Sequence, residues 1–476
     1  PDFFVLSLIV KMLIFDLKRG VFMPKRKDVI NVKIDELDFP NKGIGKFEDY
    51  KVIVKDTLPE QVVSARVEKK KNGHIEARLI DVIEKADYEI EPKCGHFDIC
   101  GGCSYQNISF DKENEIKKNQ VLKLIYNAGI KDFDFDGIDM PQNPDGYRNK
   151  CEFSFGDTEK GGSLALGMRK KHSYYEVVNL TDCRIIDNDY IRIIKSAVEF
   201  FREKNVPFYH KGTHEGLLRH LVVRKGFYTG EIMINLITTD NVCFKPEEFA
   251  ERMLMINTEG KICSILHTIN NSVADIVKSD KTEVLYGRDY FTDRLFNLEF
   301  KVTAFSFFQT NTKGAEMIYS VVKEYAGDTD NKTVFDLYCG TGTIAQIMAP
   351  QSKNVIGIEL VEEAVEAAKE NAERNNIKNC QFIAGDVLKK VDELDIKPDV
   401  IIVDPPREGI HPKAINKIIN FGAEKIVYVS CKPSSLAKDL IVFEENGYKT
   451  VRAKCVNQFC GTRHVETVVR LQRKHT

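Results

Sequence analysis

Cysteine is sparse in this chain: 12 in 476 residues, too few for a disulfide scaffold of this length, and no cleavable signal precedes them. A cross-linked secreted protein is therefore excluded, and the thiols are expected to be reduced, bound to metal or catalytic, in a cytoplasmic protein. Excess charge is missing too. Lys and Arg number 69 against 71 Asp and Glu, a formal net charge of -2, so any nucleic-acid surface has to come from local patches. No apolar run is long enough to span a bilayer. The nearest approach, residues 3–17, is interrupted by Lys11 and Asp16 and is followed by no small-residue cleavage site. Because the chain opens on Pro1 and the basic run Pro24, Lys25, Arg26, Lys27 follows Met23, residues 1–22 are expected to be a non-native or disordered extension. A membrane anchor is the competing reading. Internal repeats and low-complexity segments are absent as well.

What is present is an ordinary globular composition, 43% hydrophobic and 29% charged, in a length that calls for two to four domains. Residues 24–85 alternate with the period of strands, in V-I-N-V-K-I, Y-K-V-I-V-K, V-V-S-A-R-V and A-R-L-I-D-V-I. Four or five strands in so short a stretch predict a small closed barrel of the oligonucleotide-binding kind. Gly43 and Gly45 are read as loop residues between the first two strands, and Asn72-Gly73 as a hairpin turn. Arg66, Lys69, Lys70 and Lys71 beside that turn are either a solvated tip or a phosphate-contacting loop. Residues 86–300 mix cysteine-rich loops, strands and one helix in a mixed α+β block. From 301 to 476 strands, glycine-rich loops and helices alternate, the signature of a doubly wound parallel sheet.

In that last block V-F-D-L-Y-C-G-T-G-T-I-A brings a strand to Asp336, then Gly340 and Gly342. Such glycines allow a tight turn and close backbone approach to a ligand at a helix N-terminus. A second strand, N-V-I-G-I-E-L, ends near Glu359, placed to take ribose hydroxyls. The full G-x-G-x-x-G is lacking, which disfavours a dinucleotide. D-x-x-x-G-x-G with a strand-end acid instead resembles methyltransferases that use S-adenosylmethionine.

Downstream, I-I-V-D-P-P-R-E-G ends a strand on Asp404, and Pro405 and Pro406 stiffen the loop beyond it. V-Y-V-S-C-K-P then sets Cys431 at a strand end, and H-V-E-T-V-V carries Glu466. Asp-Pro-Pro also suits methylation of exocyclic amines, but an amine needs no enzymatic thiol. Carbon 5 of a pyrimidine does: a thiolate adding to carbon 6 turns it into a nucleophile. A base must then remove the carbon-5 proton. Cys431 is the candidate nucleophile and Glu466 the candidate base, with Lys432 a cation that would lower the thiol. The bland alternatives are a packed cysteine and a salt-bridged strand-edge carboxylate.

Cys94, Cys100 and Cys103, spaced C-x5-C-x2-C, point to a metal site whose fourth ligand is Cys183, with Cys151 its rival. By spacing, zinc and iron–sulfur are equally compatible. G-Y-R-N-K-C (residues 146–151) and L-L-R-H-L-V-V-R (residues 217–224) offer cations and aromatics for RNA contacts, or else are core strands with surface arginines.

The ordered runs S-F-F-Q-T-N, D-L-Y-C-G-T-G, D-P-P-R, V-Y-V-S-C-K-P and H-V-E-T-V-V resemble those of the RNA uracil-5-methyltransferase family, in particular its ribosomal-RNA branch. The resemblance covers nearly everything after Met23. It implies a Rossmann-like methyltransferase domain preceded by an oligonucleotide-binding-like TRAM barrel and a central iron–sulfur, RNA-binding domain. It also implies Cys431 as nucleophile, Glu466 as base, and Gln309, Tyr338, Glu359 and Asp404 at S-adenosylmethionine or the reacting base. C-G-G-C-S-Y-Q tips the cysteines toward a [4Fe–4S] cluster held by Cys94, Cys100, Cys103 and Cys183. The implied reaction is methylation of carbon 5 of a uridine in 23S ribosomal RNA by a monomer away from membranes. Transfer RNA as the target, or a non-catalytic role in RNA binding or ribosome assembly, are the alternatives. Cys460 stands where the family usually has Pro, and Lys432 where it has Asn or Asp.

Overall fold

The computed structural model describes residues 24–71, 73–390 and 396–474; the reading of residues 1–22 and residue Asn72 of the expected turn lie outside them. The chain divides after Glu89 into two compact units.

In the first unit β1 (Val29–Asp38), β2 (Lys42–Phe47), β3 (Tyr50–Lys55), β4 (Val62–Lys71) and β5 (His74–Glu84) close a barrel in the order β1-β2-β3-β5-β4. Alternate residues Ile30, Val32, Ile34, Val52, Val54, Val63, Ala65 and Val67 turn inward and are buried, as a period-two pattern requires. Gly43 and Gly45 are not in a loop; they lie inside β2. A Cβ at Gly45 would come within 2.1 Å of the Lys33 carbonyl oxygen, so glycine here serves close approach of neighbouring strands. Lys69, Lys70 and Lys71 end β4 exposed, and the Lys70 ammonium lies 4.1 Å from the Tyr50 ring centroid.

The second unit holds two large sheets. The first is ordered β13 (Lys281–Gly287), β12 (Lys261–Ile269), β11 (Glu231–Thr238), β10 (Leu218–Lys225), β7 (Lys150–Asp157), β8 (Leu164–Arg169), β9 (Val177–Asn179). Two helices, α2 (Asn188–Glu203) and α3 (Pro246–Leu254), pack against each other beside it, and Phe200, Phe201 and Phe249 interlock there. A ribbon of β14 (Tyr290–Leu295) and β15 (Leu298–Thr303) follows.

The second sheet is ordered β18 (Cys380–Ala384), β17 (Ser352–Glu359), β16 (Thr329–Leu337), β19 (Val400–Val403), β20 (Lys425–Ser430), β22 (Glu466–Arg473), β21 (Tyr448–Val456), β6 (Asp134–Asp139). The five strands from β18 to β20 are parallel, and β22 runs against β20 and β21. The helices accompanying it are α1 (Phe110–Asn127), α4 (Thr312–Ala326), α5 (Thr343–Met348), α6 (Glu362–Arg374), α7 (Val387–Lys390), α8 (Pro412–Asn420) and α9 (Pro433–Glu445). β6 and α1 come from the block 86–300, yet β6 pairs with β21 as the sheet's edge and α1 packs on α9. Among the described residues no helix is long and apolar enough to cross a membrane.

Candidate active site

Strand order reverses between β16 and β19, and at such a switch the loops leaving the carboxyl ends of the strands part to form a crevice. A cavity of about 1580 Å³ occupies that place. Gln309, Tyr338, Glu359, Asp404, Cys431 and Glu466, drawn from six separate stretches of sequence, all line it.

The loop after β16 is built from backbone. Gly342 has φ 72°, and a Cβ there would fall 2.6 Å from the Phe382 ring, so only glycine lets the start of α5 settle on that ring. Tyr338 adopts φ 67°, a conformation costly for a residue with a side chain and concentrated at functional sites. Glu359 ties the loop down: its two oxygens accept from the Gly340 and Val361 amides, each at 3.0 Å. Asp336, fully buried, accepts from the Ala345 amide at 2.9 Å while its other oxygen has no partner among the described residues. Burial pushes its carboxyl up to about 7, and the nearby Glu359 adds to this.

On the far side of the switch, Asp404, Cys431 and Glu466 act on one another. Burial, reinforced by Glu466 and Asp336, holds the Asp404 carboxyl well above its usual range. Glu466 is 5% exposed, and its carboxyl is pushed up to about 7 by burial. The Cys431 thiol rises to about 11, first through burial and then through the Glu466 and Asp404 charges. Arg407, from the Asp-Pro-Pro-Arg loop, pulls both Cys431 and Glu466 the other way and hydrogen-bonds the thiol. The cation that acts on Cys431 is therefore Arg407, whereas Lys432 occupies the N-cap position of α9 without a side-chain capping bond.

Two residues that sequence reading passed over hold Glu466. The Gln458 side-chain amide donates to Glu466 Oε1 at 3.0 Å, and Asn311 Nδ2 donates to the Gln458 carbonyl at 2.6 Å. Asn311 also caps α4, its Oδ1 accepting from the Gly314 amide. The S-F-F-Q-T-N run thus places Gln309 at the cavity and Asn311 behind it. Gln458 carried no signal, because a glutamine in a loop reads as solvent-facing.

The arginines of β10 are neither RNA-facing nor on the surface. Arg219 and Arg224 are 3% and 1% exposed. Arg224 Nη1 donates to the carbonyls of Thr303, Ala304 and Ser306, and Arg219 to those of Asn270, Ser272 and Ala274. Each guanidinium gathers carbonyls of a loop that leads into the cavity rim, where Phe305, Phe307 and Lys278 stand.

The thiols of Cys100, Cys103 and Cys183 are each raised in part by other cysteines of the group, Cys94 among them. Burial raises the Cys103 thiol to about 12 and that of Cys183 to about 11, and neighbouring thiols add to both. The Gln106 amide donates to Cys103 Sγ at 3.2 Å and the Gly102 amide to Cys100 Sγ at 3.4 Å. Four buried or half-buried cysteine sulfurs are a donor set of the kind a thiophilic cation takes. As placed, no group of three or more His, Cys, Asp or Glu among the described residues forms a metal cage.

A family model described as tRNA (uracil-5-)-methyltransferase matches residues 257–474, and a TRAM domain model matches residues 25–80, the closed barrel. The chain is similar to an RNA methyltransferase of Clostridium tetani, 49% identical over 445 residues, which are 94% of this chain and 98% of that one. It is likewise similar to an RNA methyltransferase of Clostridium acetobutylicum, 50% identical over 441 residues, 93% of this chain and 97% of the other. In fold it is similar to the Pyrococcus abyssi tRNA (uracil-54, C5)-methyltransferase solved with S-adenosyl-L-homocysteine, at 24% identity and a TM-score of 0.73 over 92% of this chain and all of that one. The chain belongs to the S-adenosylmethionine-dependent RNA uracil-5-methyltransferase family, with a TRAM barrel ahead of its catalytic unit.

Proposed function

We propose that the enzyme methylates carbon 5 of a uridine in ribosomal RNA through a covalent adduct on Cys431. The observation that carries this reading is the meeting of a thiol, a carboxylate and an arginine that act on one another in the cavity that the glycine loop also lines. Bound S-adenosylmethionine supplies the methyl group; Glu359, Tyr338 and Gln309 are the residues assigned to it or to the reacting base.

A uridine turned out of the RNA enters the cavity at a cost of a few kcal/mol, least where it is unpaired. The Cys431 thiolate bonds to carbon 6, and the electrons of the carbon 5–carbon 6 double bond move onto an enolate. Carbon 5 takes the methyl group from the sulfonium. Ionised Glu466 then removes the carbon-5 proton, the double bond re-forms, and the carbon 6–sulfur bond breaks to release the thiolate. Arg407 favours the thiolate before addition. Asp404, its carboxyl raised well above its usual range by burial, is assigned to hydrogen-bond the pyrimidine.

The cysteines Cys94, Cys100, Cys103 and Cys183 are assigned to a [4Fe–4S] cluster, supported by their mutual proximity and by amide donors at two of the sulfurs. Held by these four cysteines, such a cluster would shape the RNA-binding region. Iron and sulfide analysis of anaerobically purified protein tests this. Transfer RNA is the competing substrate, favoured by the tRNA methyltransferase match and fold neighbour.

Incubation with cellular RNA containing 5-fluorouridine decides both points, since fluorine at carbon 5 blocks proton removal. A denaturation-resistant protein–RNA adduct is expected from the intact enzyme and none from Cys431→Ala. Sequencing the captured RNA identifies the substrate. Methylation by Cys431→Ala would sink the covalent route and favour an amine target.

A further inference from the structure

Glu113 and Lys117, one turn apart on α1, form an ion pair of 2.7 Å with both side chains fully buried. Removing two charges from water costs more than such a pair usually returns, and apolar replacements are often neutral or stabilising. The pair is therefore weakly justified by fold stability, and its hydrogen bonds show where its effect is directed. Lys117 Nζ donates to Asn457 Oδ1 at 2.7 Å and to the Phe459 carbonyl at 3.3 Å. Glu113 accepts from the Gly461 amide with both oxygens, at 3.0 and 2.9 Å, and from Asn457 Nδ2 at 3.1 Å. Every one of these partners lies in residues 457–461, the loop between β21 and the strand that begins at Glu466.

Other anchors converge on the same loop. The Asn457 amide donates to the Asp139 carbonyl, the Ser104 and Tyr105 amides donate to the Gly461 carbonyl, and the Tyr147 hydroxyl donates to that of Cys460. In the midst of these fixed points sits Gln458, whose amide is the hydrogen-bond donor to Glu466. A charge-assisted bond is shorter and stronger than a neutral one, so the ion pair sets the register of Gln458 more firmly than neutral groups would.

We propose that Glu113 and Lys117 are positioning residues for the proton-removal step: they fix residues 457–461 so that Gln458 holds the Glu466 carboxylate in its working orientation. The inference rests on Glu466 being the base. It differs from a stability role because it singles out one step. Methyl transfer and thiol addition depend on Cys431 and proceed; release of methylated RNA from Cys431 slows.

The test is the paired substitution Glu113→Gln with Lys117→Met, which removes both charges and keeps their volume, alongside Asn457→Ala, which removes the loop side chain bonded to both members of the pair without burying a lone charge. On ordinary uridine RNA, the expected result for both is a loss of turnover of about 10- to 100-fold, the scale on which small misplacements act. A methylated protein–RNA adduct accumulates, resistant to denaturation and scarcely seen with the native enzyme. The affinity for S-adenosylmethionine is unchanged. Unchanged turnover in either folded variant overturns the proposal. So does turnover that falls in step with adduct formation on 5-fluorouridine RNA, since that marks general loosening. If the paired variant does not fold, Asn457→Ala alone decides between these outcomes. Absence of any adduct from the native enzyme on 5-fluorouridine RNA is a different failure, that of the covalent reading itself.

Discussion

Cys431 and Glu466 leave the sheet at the same point. β20 and β22 run antiparallel with Ser430 opposite Thr467, so the residue after one and the residue before the other flank a single opening. A strand direction thus brings together a thiol and a carboxylate 35 positions apart in the chain. Were β22 parallel like its neighbours, its first residue would lie at the far end of the sheet from Cys431.

This adjacency separates the two residues' roles by experiment. Glu466→Gln is expected to form the protein–RNA adduct on ordinary uridine RNA and to release it at least about 100-fold more slowly, the scale of a lost general base. Cys431→Ala is expected to form none. Gel mobility after denaturation, with and without S-adenosylmethionine, distinguishes them. Rapid release by Glu466→Gln would remove Glu466 from the mechanism.

Arg407→Met takes away the cation that opposes the carboxylates around Cys431. The thiol should then lie higher, and its alkylation by iodoacetamide at pH 8 should slow by up to about tenfold, one unit's worth of thiolate. Lys432→Met should change that rate less, because Lys432 is not among the largest influences on the thiol. Equal effects of the two substitutions would contradict the assignment.

The dependence on pH has opposite signs for turnover and for stability. On the proposed mechanism Glu466 works only when ionised and Cys431 only as thiolate, and burial raises both, to about 7 and about 11. Turnover should therefore climb from pH 6 to pH 9. For stability the sign reverses. The folded state keeps the Glu466 proton that an unfolded carboxyl loses near 4.3, so its contribution is full below that pH and is lost as pH rises through about 7. Glu466→Gln escapes this loss. Its advantage over the native enzyme should be near zero at pH 4 and roughly 3 kcal/mol at pH 8, read from denaturant midpoints. A constant difference would refute the buried-carboxyl assignment.

Arg224 binds the carbonyls of Thr303, Ala304 and Ser306, in the turn that carries Phe305 and leads to Phe307. Arg224→Met leaves those oxygens without their donor in a buried place, a loss of about 2–4 kcal/mol, and loosens the rim. A lowered melting temperature and a raised KM for RNA are expected, with S-adenosylmethionine binding retained. An effect on melting alone would confine Arg224 to the core.

The strands of the barrel, the glycine loop and Glu359, Asp404, Cys431 and Glu466 could be read because each rests on a local pattern: alternation, a strand-end acid, a proline-stiffened loop; Gln309 and Tyr338 rest on the family resemblance alone. β2 was hidden since Gly43 and Gly45 signal a turn to any local reading, while close packing to Lys33 is a tertiary fact. Arg219 and Arg224 read as surface cations, because nothing in L-L-R-H-L-V-V-R shows the carbonyls waiting around them. Lys432 reads as the cation beside Cys431 because it is next in sequence, but the chain turns into α9 at Lys432 while the Asp404 loop brings Arg407 to the thiol. Gln458, Glu113 and Lys117 belong to contacts spanning more than 340 positions or depend on a loop fixed by such contacts, and no periodicity reports those.

The pairing of β6 with β21 bears on how the enzyme can be divided. A fragment beginning at residue 301 would carry every residue of the chemical site, yet β21 would present a bare row of amides and carbonyls along the flank where β6 belongs. Such an edge invites pairing with another chain, and the loop after β21 would also lose α1. The catalytic sheet is completed by a strand made some 300 residues before its partner, a long-range closure of the kind that slows folding. Soluble catalytic fragments should therefore begin ahead of α1.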